Sequence, residues 1–271
     1  MAKKRLDVLL VERGLAETRE KAQALIIAGE VTVDGRVVDK AGTSVAPESE
    51  LAVSQGLRYV GRGGLKLEHA LAALGVNAAG KVAVDVGAST GGFTDCLLQH
   101  GALRVYAVDV GYGQLDWRLR TDPRVITIDR TNIRYLAQLP ELVDLATVDV
   151  SFISLGLVLP AIGRLLKPGG RVVALVKPQF EAGRRQVGKG GVVRDPAVHK
   201  EVLRRLAAWA QREGWAVRGA TPSPILGPAG NREFFFLLAR AGRGLDEAAL
   251  AAVVDEGATL VAKDEGAEEA S

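Results

Sequence analysis

The sequence predicts an α/β fold, a doubly wound sheet preceded by a small α+β module. Three observations carry that expectation. Val/Leu-rich runs recur at VAVDV, RVYAVDV, VITID, LATVDVSF and RVVALVKP, with helical stretches between them. That is the pattern of parallel strands buried on both faces. A glycine-rich turn, Gly87 to Gly92, follows the first run and opens onto a helix. Ahead of the sheet lie two helix patterns and a hairpin, set off by the glycine-rich stretch SQGLRYVGRGG. The expected organisation is a module over 1–55, a linker over 56–64, the sheet domain over 65–242 and an acidic helix and tail over 243–271.

Composition bounds the function. The chain has 271 residues, 48% apolar and 25% charged, with a formal net charge of +3. That supports a full core and permits a nucleic-acid partner without demanding one. The single cysteine, Cys96, excludes a disulfide framework and points to a cytoplasmic setting. It lies just inside a helix, where burial is expected. With three histidines and one cysteine, no metal site is expected. The N-terminus reaches Glu12 and Arg13 too early for a signal peptide, and no apolar run is long enough for a membrane helix.

In the N-terminal module, Leu6, Leu9 and Leu10 share one helix face and Gly14 ends that helix. Thr18 starts a second helix carrying Ala22, Leu25 and Ile26, with Gly29 as its C-cap. VTVDG and RVVDK form a hairpin around Asp34-Gly35, and ELAVS adds a third strand. This helix–helix–hairpin order, with Arg5, Leu6, Leu10, Gly14, Arg19, Ala22, Ile26, Gly29, Val31 and Val33, resembles the small RNA-binding domain named after ribosomal small-subunit protein S-four. The resemblance implies RNA contacts by Arg5, Arg19 and Lys21. Residues 1–60 hold as many acidic as basic residues, so binding requires the positive charges to be segregated on one face.

The turn DVGASTGGFTD lacks the dinucleotide spacing G-x-G-x-x-G, which argues against a nicotinamide cofactor. Its Asp-x-Gly-Ala start resembles the first turn of Rossmann-like S-adenosylmethionine-dependent methyltransferases. Asp85, Gly87, Ala88, Ser89, Gly91, Gly92 and Phe93 are the candidate cofactor residues here, with Thr90 or Thr94 capping the helix. Asp109 ends the second strand, roughly 20 residues on, where a carboxylate accepts bonds from ribose hydroxyls. Asp129, after the third strand, is a candidate for the adenine. Asp149 ends the fourth strand, and Phe152 is placed to pack on the adenine or the methyl donor. Ligands of such sheets lie at the carboxyl ends of the strands.

Lys177 closes the buried run VVALVKP, where an ammonium requires a nearby carboxylate. Asp149 and Glu233 are the available partners, and Lys66 opens the helix LKLEHALAAL. Lys66, Asp149, Lys177 and Glu233 resemble the tetrad of the FtsJ-like ribose 2′-O-methyltransferases. Together with the S-four-like module, YVGRGGLKLEHAL, VDVSFISL, LVKPQFE and GNREFFF resemble the TlyA family, known under both haemolysin and rRNA methyltransferase names. The resemblance spans roughly residues 3 to 240. It implies methylation of a cytidine ribose in ribosomal RNA or ribosomal subunits, with S-adenosylmethionine as cofactor. Lys177 is then the general base or hydroxyl-orienting group, and Lys66 the neighbouring cation. Asp149 and Glu233 orient the two lysines. Arg62 in the linker, and Arg184, Arg185 and Lys189 in the basic loop FEAGRRQVGKGGVVRDP, are candidate phosphate contacts.

Two other readings compete. One is a non-catalytic RNA-binding assembly factor with a relic cofactor fold, which the intact tetrad argues against. The other is a membrane-active haemolysin, which the lack of a membrane-length run argues against. An adenine N-methylase is disfavoured because Asp149-Val150-Ser151-Phe152 lacks the Asn/Asp-Pro-Pro-aromatic motif.

Overall fold

The computed structural model describes residues 3–27, 30–38, 40–53 and 58–269 and divides the chain into two units, Met1–Arg58 and Tyr59–Ser271. In the first unit, α1 (Leu6–Glu12) and α2 (Arg19–Ile27) present Leu6, Leu9, Leu10, Ala22 and Ile26 to one small core. The Thr18 hydroxyl accepts from the Lys21 amide and so caps α2. Gly29, the expected C-cap of α2, lies outside the described residues.

A short strand β1 (Lys4–Arg5) precedes α1, and three strands follow α2: β2 (Val31–Val33), β3 (Arg36–Val37) and β4 (Ser44–Val45). Strand β5 (Leu51–Val53) completes the antiparallel order β3-β2-β5, while β1 pairs with β4. The hairpin turn falls at Asp34 and Gly35, both with positive φ, the conformation of a two-residue type I′ connection.

The second unit begins with α3 (Gly63–Ala73) and builds a seven-stranded sheet. Its elements in chain order are β6 (Val82–Val86), α4 (Gly92–Gln99), β7 (Arg104–Val108), α5 (Trp117–Arg120), β8 (Val125–Ile128), β9 (Val143–Val148), α6 (Leu155–Leu165), β10 (Leu166–Val176), α7 (Pro178–Glu181), α8 (Pro196–Arg212), β11 (Ala216–Pro222), β12 (Phe234–Ala239) and α9 (Glu247–Glu269). The strand order is β11-β12-β10-β9-β6-β7-β8. Only β12 runs against its neighbours. Alternate strand residues feed two layers, as the two-residue repeat of a strand requires. Val82, Val84 and Val86 pack with Leu159 and Ile162 of α6 and Leu203 of α8. Ala83, Val173 and Phe235 pack with Leu67 of α3 and Cys96 and Leu97 of α4.

Two local expectations are corrected. The stretch from Tyr59 to Gly64, expected as part of a linker, belongs to the second unit. Tyr59 is buried, the Val60 amide donates to Asp95, and a Cβ at Gly64 would sit 2.2 Å from the Tyr59 ring. Its glycines serve close packing rather than freedom. Thr94 does not cap α4, because its hydroxyl donates to the Asp85 carboxylate instead, and the N-cap is Gly91. The stretch LKPGG is drawn into β10 as an irregularity, with the pairing shifted between Leu166 and Arg171.

Candidate active site

Topology brings four distant residues to one end of the sheet. Asp149 directly follows β9 and Lys177 directly follows β10, so both stand at carboxyl ends of parallel strands. Glu233 directly precedes the antiparallel β12, whose start lies at the same end. Lys66 lies in the first turn of α3. Lys66 Nζ is 2.5 Å from Glu233 Oε2, with side chains 8% and 1% exposed. Lys177 Nζ is 2.5 Å from Asp149 Oδ1 and donates to Ser151 Oγ at 3.0 Å. Each ammonium thus has its own carboxylate, the arrangement that makes buried lysines tolerable.

Two cavities meet at the turn after β6. A cavity of about 210 Å³ contains all four of these residues, with Arg62 and Phe93 also in its wall. A second, of about 400 Å³, is bounded by Asp109, Asn132, Val150 and Phe152. Gly87, Ser89 and Asp149 line both. Gly87 has φ +84, and a Cβ there would come within 2.4 Å of the Asp149 carbonyl oxygen. The turn and the end of β9 are therefore in backbone contact, held by a 2.9 Å bond from the Asp149 amide to Val86 O. The Asp109 carboxylate accepts from the Ser89 amide at 2.8 Å and from the Gly111 amide at 2.7 Å. This fixes a carboxylate in the wall of the larger cavity. Phe152 has φ +63, is 90% exposed, and lies 4.9 Å from the Phe180 ring. A bulky residue at positive φ is a strained arrangement that surrounding structure must hold.

Residues 59–240 match the family described as FtsJ-like methyltransferase, and residues 4–51 match the S4 domain. The chain belongs to the FtsJ-like methyltransferase family. Within it, the chain is of the TlyA type. It is 52% identical to "Putative rRNA methyltransferase YqxC" of Bacillus subtilis (strain 168), covering 94% of each chain. It is 46% identical to the 16S/23S rRNA (cytidine-2′-O)-methyltransferase TlyA of Mycobacterium tuberculosis, covering 90% of this chain and 95% of that one. A solved structure of a hemolysin-named protein from Streptococcus thermophilus superposes with a TM-score of 0.78 at 45% identity, over 98% of this chain and 99% of that one. Among the described residues, no helix of this TlyA-type chain is long and apolar enough to cross a membrane.

Of the residues singled out in the sequence of this FtsJ-like methyltransferase, Gly87, Ala88, Ser89, Gly92 and Phe93 line the smaller cavity, and Asp109 and Phe152 the larger. Asp85 lines neither. It is fully buried, accepts from the Thr94 and Thr147 hydroxyls, and is pushed up to about 7. Burial is the main cause, the two hydroxyls oppose it, and the negative charge of Asp149 adds to it. Gly91 instead gives way to Leu119 and Leu115, whose methyls would meet its Cβ at 2.2 and 2.8 Å. Asp129 also lies outside both linings. Its carboxylate accepts from the Gly113 amide and pairs with Arg120, while Thr131 and Asn132 reach the larger cavity in its place.

Among the expected RNA contacts, Arg62 donates to Leu226 O and lines the smaller cavity. Arg184, Arg185 and Lys189 are exposed on two short 3-10 turns, Arg184–Gln186 and Lys189–Gly191. In the S4 unit, Arg5 and Arg19 both bond the buried Asp7 carboxylate, joined by Gln23. The Arg5 guanidinium is the leading cause holding Asp7 well below the usual carboxylate range. Lys21 pairs with Glu17. Sequence reading did not single out Ser151, Gln179 or Asn231. Their bonds join segments far apart in the chain, which local pattern does not reveal.

Proposed function

We propose that this chain methylates a ribose 2′-hydroxyl of ribosomal RNA, with cytidine as the nucleotide and S-adenosylmethionine as the methyl donor. The observation that carries the reading is the convergence of two Lys–carboxylate pairs on one small cavity beside the Gly87–Ser89 turn. The 46% identical TlyA relative, named for this reaction, supports the nucleotide and the substrate.

The residues around the larger cavity fit the donor. Asp109 offers a carboxylate for ribose hydroxyls, Asn132 and Thr131 offer polar groups near the base, and Gly87 admits close backbone approach. S-adenosylmethionine supplies a methyl group on a positively charged sulfur, which accepts an electron pair as the methyl leaves. Lys177 faces the substrate hydroxyl and orients it, and once its ammonium has released a proton to water, the free amine takes the hydroxyl proton as the oxygen attacks. Asp149 and Ser151 hold the Lys177 amine in register. Lys66 lends positive charge beside the forming alkoxide, and Glu233 fixes Lys66 in place. Much of the rate enhancement is positioning, because both partners are held in one small space. A cytoplasmic setting follows from the ribosomal substrate.

The test is transfer of labelled methyl from S-adenosylmethionine to purified ribosomal subunits and to naked rRNA. Label in one nucleotide whose 3′ linkage resists alkaline hydrolysis supports the reading. Label released with a modified base would overturn it in favour of a base methylase.

A further inference from the structure

The basic loop between α7 and α8 is anchored by a residue from the segment that carries Glu233. Asn231 is buried, and its side chain makes two bonds to that loop. Its amide nitrogen donates to Gly191 O at 3.0 Å, and its Oδ1 accepts from the Val193 amide at 2.9 Å. The third polar group of this stretch, Val193 O, accepts from His199 Nε2 at 2.9 Å, with the imidazole buried against the Phe234 ring. Thus two side chains satisfy three backbone groups of a segment whose own backbone bonds include Gly188 N to Val192 O and Gly191 N to Gly188 O. Val192 and Val193 are buried, while Arg184, Arg185, Lys189 and Arg194 remain exposed. The Asn231 carbonyl accepts from the Gly227 amide, and Glu233 lies so close to Gly227 that a Cβ there would meet its Oε1 at 2.5 Å.

We propose that Asn231 is a positioning residue that ties the basic loop to the Glu233 segment, so that the loop's arginines are set relative to the Lys66–Glu233 pair. The inference rests on the RNA methyltransferase reading above. An amide side chain suits this role because it both donates and accepts in one plane, bridging the carbonyl of one residue and the amide of another. Alanine at 231 leaves two backbone groups without partners, and the loop then opens. The arginines remain on the protein but lose their fixed place. RNA then binds to a disordered loop and must order it, so the loss falls on the Michaelis constant for RNA.

The experiment uses the full chain. Trypsin cuts after Arg184, Arg185 and Lys189 are timed by mass spectrometry in wild type and Asn231→Ala. Affinity for S-adenosylmethionine is measured in parallel, and methyl transfer to rRNA is followed in both backgrounds with and without Arg184→Ala and Arg185→Ala. The expected result is about tenfold faster cutting and about tenfold higher KM for RNA, the shift from losing one or two hydrogen bonds. Cofactor affinity stays unchanged, and the KM penalty disappears once Arg184 and Arg185 are gone. Gly191→Ala, at an exposed site with φ +77, strains the same loop end without touching the core and changes cutting and KM in the same direction. Unchanged cutting in both variants, or a KM penalty undiminished without the arginines, overturns the proposal. Absence of any RNA methylation by wild type sinks the functional reading instead, while the cutting rates still decide whether Asn231 anchors the loop.

Discussion

Lys66 and Glu233, 167 residues apart, form a buried ion pair at 2.5 Å. One sits on the helix that opens the methyltransferase unit, the other at the start of its antiparallel strand. Neither charge has a solvated alternative, so each depends on the other. Lys66→Met or Glu233→Gln alone should destabilise the unit by roughly 3–5 kcal/mol, because the remaining charge is left buried and unpaired. The double variant should recover most of that stability yet stay inactive. Chemical denaturation and methyl transfer, measured on the same samples, separate the two effects.

At Gly87 an added methyl group meets backbone rather than a movable side chain. Its φ of +84 and the 2.4 Å approach of a Cβ to Asp149 O mean that Gly87→Ala must push β9 from the turn. The expected outcome is loss of measurable S-adenosylmethionine binding by calorimetry, with the S4 unit still folded by NMR. Wild-type affinity in this variant would show that the turn does not meet the donor.

Asp85 makes stability depend on pH. Its folded-state value is raised to about 7, above the roughly 3.9 of an unfolded chain. The folded state therefore holds a proton that the unfolded state has lost, and stability falls as pH rises from about 4 to about 7. Asp85→Asn, which keeps an acceptor for one threonine hydroxyl and can donate its NH2 to the oxygen of the other, should flatten this dependence. Melting temperatures of the two proteins between pH 5 and 8 check it: the gap between them should narrow toward low pH.

Arg5 and Arg19 share the Asp7 carboxylate, yet about half of each side chain stays exposed. This gathers two guanidiniums at one spot of a unit with as many acidic as basic residues. Replacing both by alanine should weaken RNA binding and reduce the salt slope of log K by roughly 2, the signature of two lost phosphate contacts. A slope equal to wild type would assign them to holding Asp7 alone.

The sheet, Asp149 and Lys177 were legible because they sit at strand ends, where a charged residue after an apolar run stands out. Lys177 after VVALV and Asp149 after LATV are cases of this. The hairpin at Asp34-Gly35 was legible because positive φ at two successive positions selects those residues. What stayed hidden depends on contacts across the chain. The glycines of 56–64 read as a linker, but Tyr59 packs on Gly64. Asp85 looked like a ligand-binding carboxylate, but Thr94 and Thr147 enclose it. Asn231 gave no signal, since both its partners are backbone groups some forty residues earlier.

The most direct test of the account is Lys177→Ala, assayed on ribosomal subunits for both cofactor affinity and methyl transfer. The account predicts unchanged affinity for S-adenosylmethionine and a fall in single-turnover methylation of about 10²–10⁴-fold, the range for losing a proton-transfer group. Methylation of the same ribose at the wild-type rate would contradict it and move the chemistry away from this centre.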